Sequence, residues 1–233
     1  VRGQFTLAIA LILSLTIIAA SLTTYESGVF YKGLKSKHYV YIAKSIESDF
    51  KRLVRIIASN TSLTYSLTGS MNDVLNCVEN LKSRWLSSLP IIYSGYGVQA
   101  SMDVSIDLLW NRTASRTLAV GDVRVNITGF GFYLYTYRFT AELNLTVEPK
   151  LNANHILENV TVRLLREGGV PVDFLNPSSF KLYINNTLHD VNVEMLGGGV
   201  YVLKVRDLTV VGGDILVKAV DSRQIMVYAL SSI

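Results

Sequence analysis

The sequence predicts an α+β chain in three parts: a long N-terminal membrane and stalk helix (1–60), a second helix with an antiparallel sheet (61–150), and a C-terminal β-sandwich (151–233). Three observations carry this. The run Phe5–Leu22 holds no charge, Gly or Pro, and apolar residues then continue at spacings of three and four to Ile57. After Pro90 the apolar period changes to two. Beyond residue 151, Gly and Asn turn signals punctuate short apolar stretches.

The first helix is predicted from Phe5 to about Ser59. Its uncharged part would cover roughly 27 Å at about 1.5 Å per residue, close to a hydrocarbon core of about 30 Å. Thr6, Ser14, Thr16 and Ser21 are its only polar breaks, and their hydroxyls can bond back to the helix. The lower part is amphipathic. Phe30, Leu34, Tyr41, Ile42, Ile46, Phe50, Leu53, Val54 and Ile57 form one stripe, while Lys44, Glu47, Lys51 and Arg55 lie largely off it. Asn60–Gly69 reads as a loop. Ser70 opens a second helix in a capping-box-like start, with Met71, Val74, Leu75, Val78, Leu81 and Trp85 at helical spacing up to a stop at Pro90.

Val98–Leu108 alternates apolar and polar residues, as do residues 138–147; each reads as a half-buried strand. Leu118–Thr128 and Gly129–Tyr137 read as two more, the latter rich in aromatics. Glu148–Asn154, with Pro149, reads as a polar linker. Seven strands follow: Asn159–Leu165, Val170–Phe174, Phe180–Ile184, Asp190–Met195, Val200–Val205, Asp214–Ala219 and Ile225–Leu230. Turns fall at Gly168-Gly169, Asn185-Asn186, Gly197–Gly199 and Gly212-Gly213.

Two resemblances extend this reading. Arg2-Gly3-Gln4 directly before an apolar helix resembles the processing site of archaeal type IV pilin-like proteins. The likeness covers the first 25–60 residues and implies cleavage between Gly3 and Gln4, with the helix kept on the mature chain. It also implies a filament core of bundled helices, with Phe5, Ala10, Leu11, Leu15, Ile18 and Ala19 as its contacts. Many members carry a Glu five residues into the mature chain; here that position is Ala8. The stretches VTVRLLREGGVPV, GGGVYVLKV and GGDILVKAVD resemble the Ig-like modules of prokaryotic surface proteins, over about residues 155–233. The implied module binds or spaces rather than catalyses.

Charge and targeting signals set the topology. Residues 1–60 carry eight Lys/Arg against three Asp/Glu, whereas the whole chain has a net charge of +4. The basicity therefore belongs to the first helix, and no patch with reading side chains points to nucleic acid. Lys32, Lys35 and Lys37 beyond the span would by themselves hold the head inside. Six Asn-x-Ser/Thr sequons oppose this, at Asn60, Asn111, Asn126, Asn144, Asn159 and Asn185, where chance gives about two. Large domains translocate largely regardless of charge, so the head is expected outside the cell. The alternative for the apolar run is a secretory signal peptide cleaved near Ala19-Ala20-Ser21.

Chemistry is scarce. His38, His155 and His189 are scattered and Cys77 is alone, so neither a metal site nor a disulfide framework is expected. There is no G-x-S-x-G or phosphate-binding glycine motif. Asp103 and Asp107 share a strand face but stand roughly 13 Å apart at about 3.3 Å per residue, too far for a glycosidase pair. The expected function is structural. The chain would be a cofactor-free, non-enzymatic subunit of an extracellular pilus-like filament. It would sit in the membrane before assembly, pair with copies of itself through the N-terminal helix, and hold its heads out for adhesion to a ligand the sequence does not name. The alternative is a single-pass anchored surface module that does not polymerise.

Overall fold

The computed structural model describes residues 39–128, 133–153, 156–205 and 212–232. The chain divides into two compact units, residues 1–47 and 48–233. In the first, the described residues 39–47 are helical, with Tyr39, Ile42, Ala43 and Ile46 buried and Tyr41, assigned above to the apolar stripe, 72% exposed. The span expected over Phe5–Leu22 lies outside the described residues. Among the described residues, no helix is long and apolar enough to cross a membrane.

The fold class differs from the expectation. The molecule is mainly β, built on two antiparallel sheets rather than on a long helix with a head and a separate Ig-like sandwich. Among the described residues, helix α1 (39–68) and helix α2 (Met71–Ile92) precede eleven strands: β1 (Val98–Leu109), β2 (Ala114–Ile127), β3 (Tyr133–Leu151), β4 (Leu157–Arg166), β5 (Val170–Pro171), β6 (Phe180–Ile184), β7 (Thr187–His189), β8 (Val191–Gly197), β9 (Val200–Val205), β10 (Asp214–Val220) and β11 (Met226–Ser232). One sheet runs β1-β2-β3-β4-β9-β8, with β5 also paired to β4; the other runs β11-β10-β6-β7.

Strand β3 causes the difference. The two strands expected on either side of Tyr137, and the linker expected at 148–154, belong largely to this one strand of 19 residues. Residues 133–142 pair with β2 alone, 143–146 with both β2 and β4, and 147–151 with β4 alone. Pro149 does not break it, because Pro149 lies opposite Val160 where β2 has already ended, and a proline is tolerated where one side of a strand is unpaired. Strands assigned to a head sheet and to a separate sandwich are thus neighbours in one sheet. The stretch Val170–Phe174 is strand only at its first two residues.

The helices also overrun their expected ends. Residues 60–68 are helical, and four of their hydroxyls each find a carbonyl one turn back: Thr61 Oγ1 donates to Ile57 O (2.6 Å), Ser62 Oγ to Ser59 O (2.8 Å), Ser66 Oγ to Leu63 O (2.9 Å) and Thr68 Oγ1 to Thr64 O (3.1 Å). Gly69, at φ +63°, ends α1 by donating its N–H to Tyr65 O (2.8 Å). Ser70 Oγ then accepts from the Asp73 N–H (3.3 Å) and opens α2. Pro90 lies inside the last turn of α2 rather than stopping it.

The core of the larger unit fills the space between these layers. Phe50, Leu53, Val54, Ile57 and Ala58 bury the inner stripe of α1. Gly121 of β2 leaves room for Val54 and Phe50. The α1 helix also reaches strand β11: the Met226 N–H donates to Ser62 Oγ (3.1 Å), and Thr117 Oγ1 of β2 donates to Met226 O (2.5 Å). Trp110 closes this chain of bonds, donating from Nε1 to Thr117 Oγ1 (2.9 Å) between the rings of Tyr65 and Tyr228. The four-stranded sheet faces β2 and β3 through β11, and Phe180 meets Tyr201 of β9 at 4.8 Å between ring centres.

Candidate functional site

The densest charged cluster among the described residues joins two turns and a strand. Asp221 directly follows β10 and is 3% exposed. Its Oδ1 accepts from the N–H groups of Arg223 (2.9 Å) and Ile225 (3.0 Å), folding the β10–β11 turn. Arg223 donates from Nε to Asp221 Oδ2 (2.6 Å), from Nη1 to Glu167 Oε2 (2.6 Å) and from Nη2 to Glu142 O (2.8 Å). Burial pulls the guanidinium's pKa down, but the bonds to Glu167 and Asp221 outweigh it and hold the pKa above its ordinary value. Burial likewise pushes Glu167 up, yet the Arg223 bond and backbone donors hold its carboxyl below the usual glutamate value. Each guanidinium nitrogen of Arg223 thus donates inside the protein. The cluster staples the β10–β11 turn, the turn after β4 and β3 together, and offers no free acid or base.

The other titrating candidates do not converge. Among the described residues, no group of three or more His, Cys, Asp or Glu could hold a metal ion. His38 and His155 lie outside the described residues. His189 ends β7, half-buried. Cys77 is a half-buried free thiol on α2, beside a groove of about 380 Å³ that Asn60, Thr64, Asp73 and Arg84 also line. Asp107 is bound by Arg116 across the β1–β2 pair, and Asp103 lies opposite Asp122 on β2, which is 3.9 Å from Arg138.

The sequons fall into two groups. Asn60 on α1, Asn111 in the β1–β2 turn and Asn185 in the β6–β7 turn are exposed. Asn111 (φ 62°) and Asn185 (φ 50°) take the left-handed conformation that Asn tolerates, and Asn185 Oδ1 accepts from the Asp214 N–H (3.2 Å). Asn126, Asn144 and Asn159 are half-buried on strands. The Oδ1 of Asn126 is buried without a hydrogen-bond partner, and Asn144 donates to Glu142 Oε1 (3.0 Å). The processing residues Gly3 and Gln4, and the assembly residues Phe5, Ala10, Leu11, Leu15, Ile18 and Ala19, lie outside the described residues.

Sequence reasoning missed one surface. Phe174, placed above at a strand end, is 86% exposed at φ +61°, next to exposed Met195 and Leu196 at the β8–β9 hairpin. Its signal was faint: an aromatic residue between two turns, in Val-Asp-Phe-Leu-Asn-Pro. No family model, curated protein or solved structure matches the chain.

Proposed function

We propose that the chain is a non-enzymatic cell-surface subunit. Its apolar N-terminal segment rests in the membrane and then bundles with identical segments in a filament, leaving the β-rich unit outside. The observation that carries this reading is the uncharged run Phe5–Leu22 behind Arg2-Gly3-Gln4. Exchanging lipid for identical apolar helices costs little, since both are apolar, and packing then decides assembly. Two features support the reading. The tightest charged cluster, around Arg223, staples turns, and the exposed sequons at Asn60, Asn111 and Asn185 suit an extracellular surface.

Two measurements test it. N-terminal sequencing of the native protein is expected to begin at Gln4; a start near Leu22 would show a removed signal peptide and end the anchored reading. Electron microscopy and shear release from whole cells are expected to show filaments containing this chain. Ala10→Leu or Ala19→Phe should abolish them while leaving the protein in the membrane fraction, because close packing punishes added volume. Wild-type cells without such filaments would leave a lone anchored module instead.

A further inference from the structure

Two stretches of the larger unit are free of charge and meet at one end of it. Residues 85–102 and 125–137 hold no Asp, Glu, Lys or Arg, and the fold brings their described parts together. Gly97 O, between α2 and β1, accepts from the N–H (3.2 Å) and the hydroxyl (3.0 Å) of Thr128, just beyond β2. Leu134 of β3 pairs with Asn126 of β2, which places it two strands, about 10 Å, from β1. At this end Ile91 is 76% exposed, Ile92 63% and Leu134 71%, with half-buried Tyr93 and Tyr96 in the turn after α2. Soluble monomers rarely gather large apolar side chains in this way unless something covers them.

Three observations say what the cover is. First, it must surround the end. Ile91 and Ile92 are consecutive on α2, about 100° apart around the helix, and Leu134 comes from a different element. The apolar surface therefore wraps the end instead of lining one groove. A fluid lipid surface covers such an end on every side, whereas a protein groove takes one face. Second, tyrosines beside apolar side chains are the composition favoured at a membrane–water interface. Third, the chain arrives here. Phe50 of α1 lies 5.9 Å from Trp85 of α2, and Tyr93 Oη donates to Asp49 Oδ2 (3.5 Å). The polypeptide thus enters the larger unit beside this end, coming in sequence from the apolar run Phe5–Leu22. Just inside the entry, Lys51, Arg52 and Arg55 outnumber Asp49, which suits anionic head groups.

We infer that this end of the larger unit docks on a lipid surface, with Ile91, Ile92 and Leu134 entering the boundary between head groups and acyl chains. The inference rests on the proposed function only in placing the chain at a membrane. It goes beyond that reading by holding the β-rich unit against the bilayer before assembly. Leaving water costs the turn little, because Gly97 O is already bonded to Thr128 and the Tyr96 N–H donates to Tyr93 O (3.0 Å). Contact through a few side chains is shallow and reversible. The β1–β2 turn, with exposed Asn111, lies at the opposite end of these strands, about 40 Å away, and faces water.

The test uses the full chain in phosphatidylcholine vesicles, with and without phosphatidylglycerol, on a Cys77→Ser background. A polarity-sensitive fluorophore at Ser94→Cys, in the turn after α2, is expected to be quenched by lipids carrying a nitroxide just below the head group. With phosphatidylglycerol the quenching should be stronger at low salt than at high salt. The same label at Ala114→Cys, at the far end of β2, should be unaffected. Ile91→Ser should lower the ratio of docked to undocked unit by about tenfold, as for one isoleucine withdrawn from an apolar phase. Its melting temperature should not change, because the side chain is exposed, and Ile91→Leu should retain docking. An alkaline carbonate wash reads anchoring by the apolar run separately. A chain that stays with the vesicles while Ser94 is no more quenched than Ala114 overturns the docking and leaves this end to a protein partner; quenching indifferent to Ile91→Ser overturns it too. Quenching before the wash followed by release in it overturns the anchored reading instead, and a chain that never associates overturns both.

Discussion

Replacing Gly121 by Ala is expected to destabilise the protein, although the same change in an ordinary strand stabilises it. Gly121 lies mid-strand in β2, opposite Val104 of β1 and Phe139 of β3. A Cβ there would stand 2.6 Å from Val54 Cγ2 and 2.8 Å from Phe50 Cζ, about 1 Å inside the optimal carbon–carbon separation. Both side chains are fully buried, and Val54 is β-branched on a helix, with one strongly preferred rotamer. Overpacking of this kind costs about 1–3 kcal/mol, against a backbone gain of about 0.5–1 kcal/mol for removing a mid-strand glycine. The net loss should be about 1–2 kcal/mol. Val54→Ala alone should cost about 2 kcal/mol through its cavity. In the double variant the new methyl enters that space, so the two losses should fall short of additivity by about 1–2 kcal/mol. Urea unfolding followed by tryptophan fluorescence reports on the site, since Trp85 lies 5.9 Å from the Phe50 ring. A Gly121→Ala variant more stable than wild type, or strictly additive losses, would refute the packing of α1 on β2.

Three further outcomes are expected. Arg223→Met should cost about 3 kcal/mol in urea unfolding, because it strands Asp221, whose side chain is 2% exposed, and frees Glu167; a loss below about 0.5 kcal/mol would refute the staple. Because Glu167 titrates below its ordinary value of 4.5 in the folded protein, its contribution is present above that pH and is lost as pH falls through and below it; unfolding free energy should decline there, with a shallower slope in Glu167→Gln. Intact-mass and glycopeptide analysis of protein from its native host should find Asn111 occupied ahead of Asn126 and Asn144, since Asn111 is exposed in a turn while the other two side chains are held within the sheet.

Local structure was legible in the sequence where one residue type had one physical role. The strands Phe180–Ile184 and Val200–Val205 occur with the expected bounds, because each is a short alternating run between glycine or asparagine turns. Asn185-Asn186 forms the expected two-residue turn, both residues at positive φ. Alternation over Val98–Leu108 likewise gave β1 and its buried face. What failed was inference from punctuation to partition. Pro149 and the polar residues around it resembled a linker, but whether a proline ends a strand depends on whether its N–H side is paired, and pairing is a tertiary fact. Asn60–Gly69 reads as a loop from the sequence, yet residues 60–68 are helical; four of their hydroxyls bond to the preceding turn, and Thr61 and Ser62 are fully buried. The Arg223 cluster draws on Glu142, Glu167 and Asp221, residues up to 81 positions apart, and no local pattern marks such a meeting.

The consequence of β3 reaches beyond topology. Where β3 pairs with β2 alone, α1 covers this part of the sheet, and Arg55 lies over the Phe139 ring at 5.2 Å. Farther along, where β4 joins, the covering layer is the four-stranded sheet, through β11. The two covers meet at the Ser62–Met226–Thr117 bonds, each buried. Neither cover can detach without exposing apolar side chains on a strand that the other still needs, and without stranding a buried donor or acceptor at the seam, at about 1–3 kcal/mol each. A pull on α1 is therefore carried into the sheet through buried packing and hydrogen bonds rather than through a flexible linker.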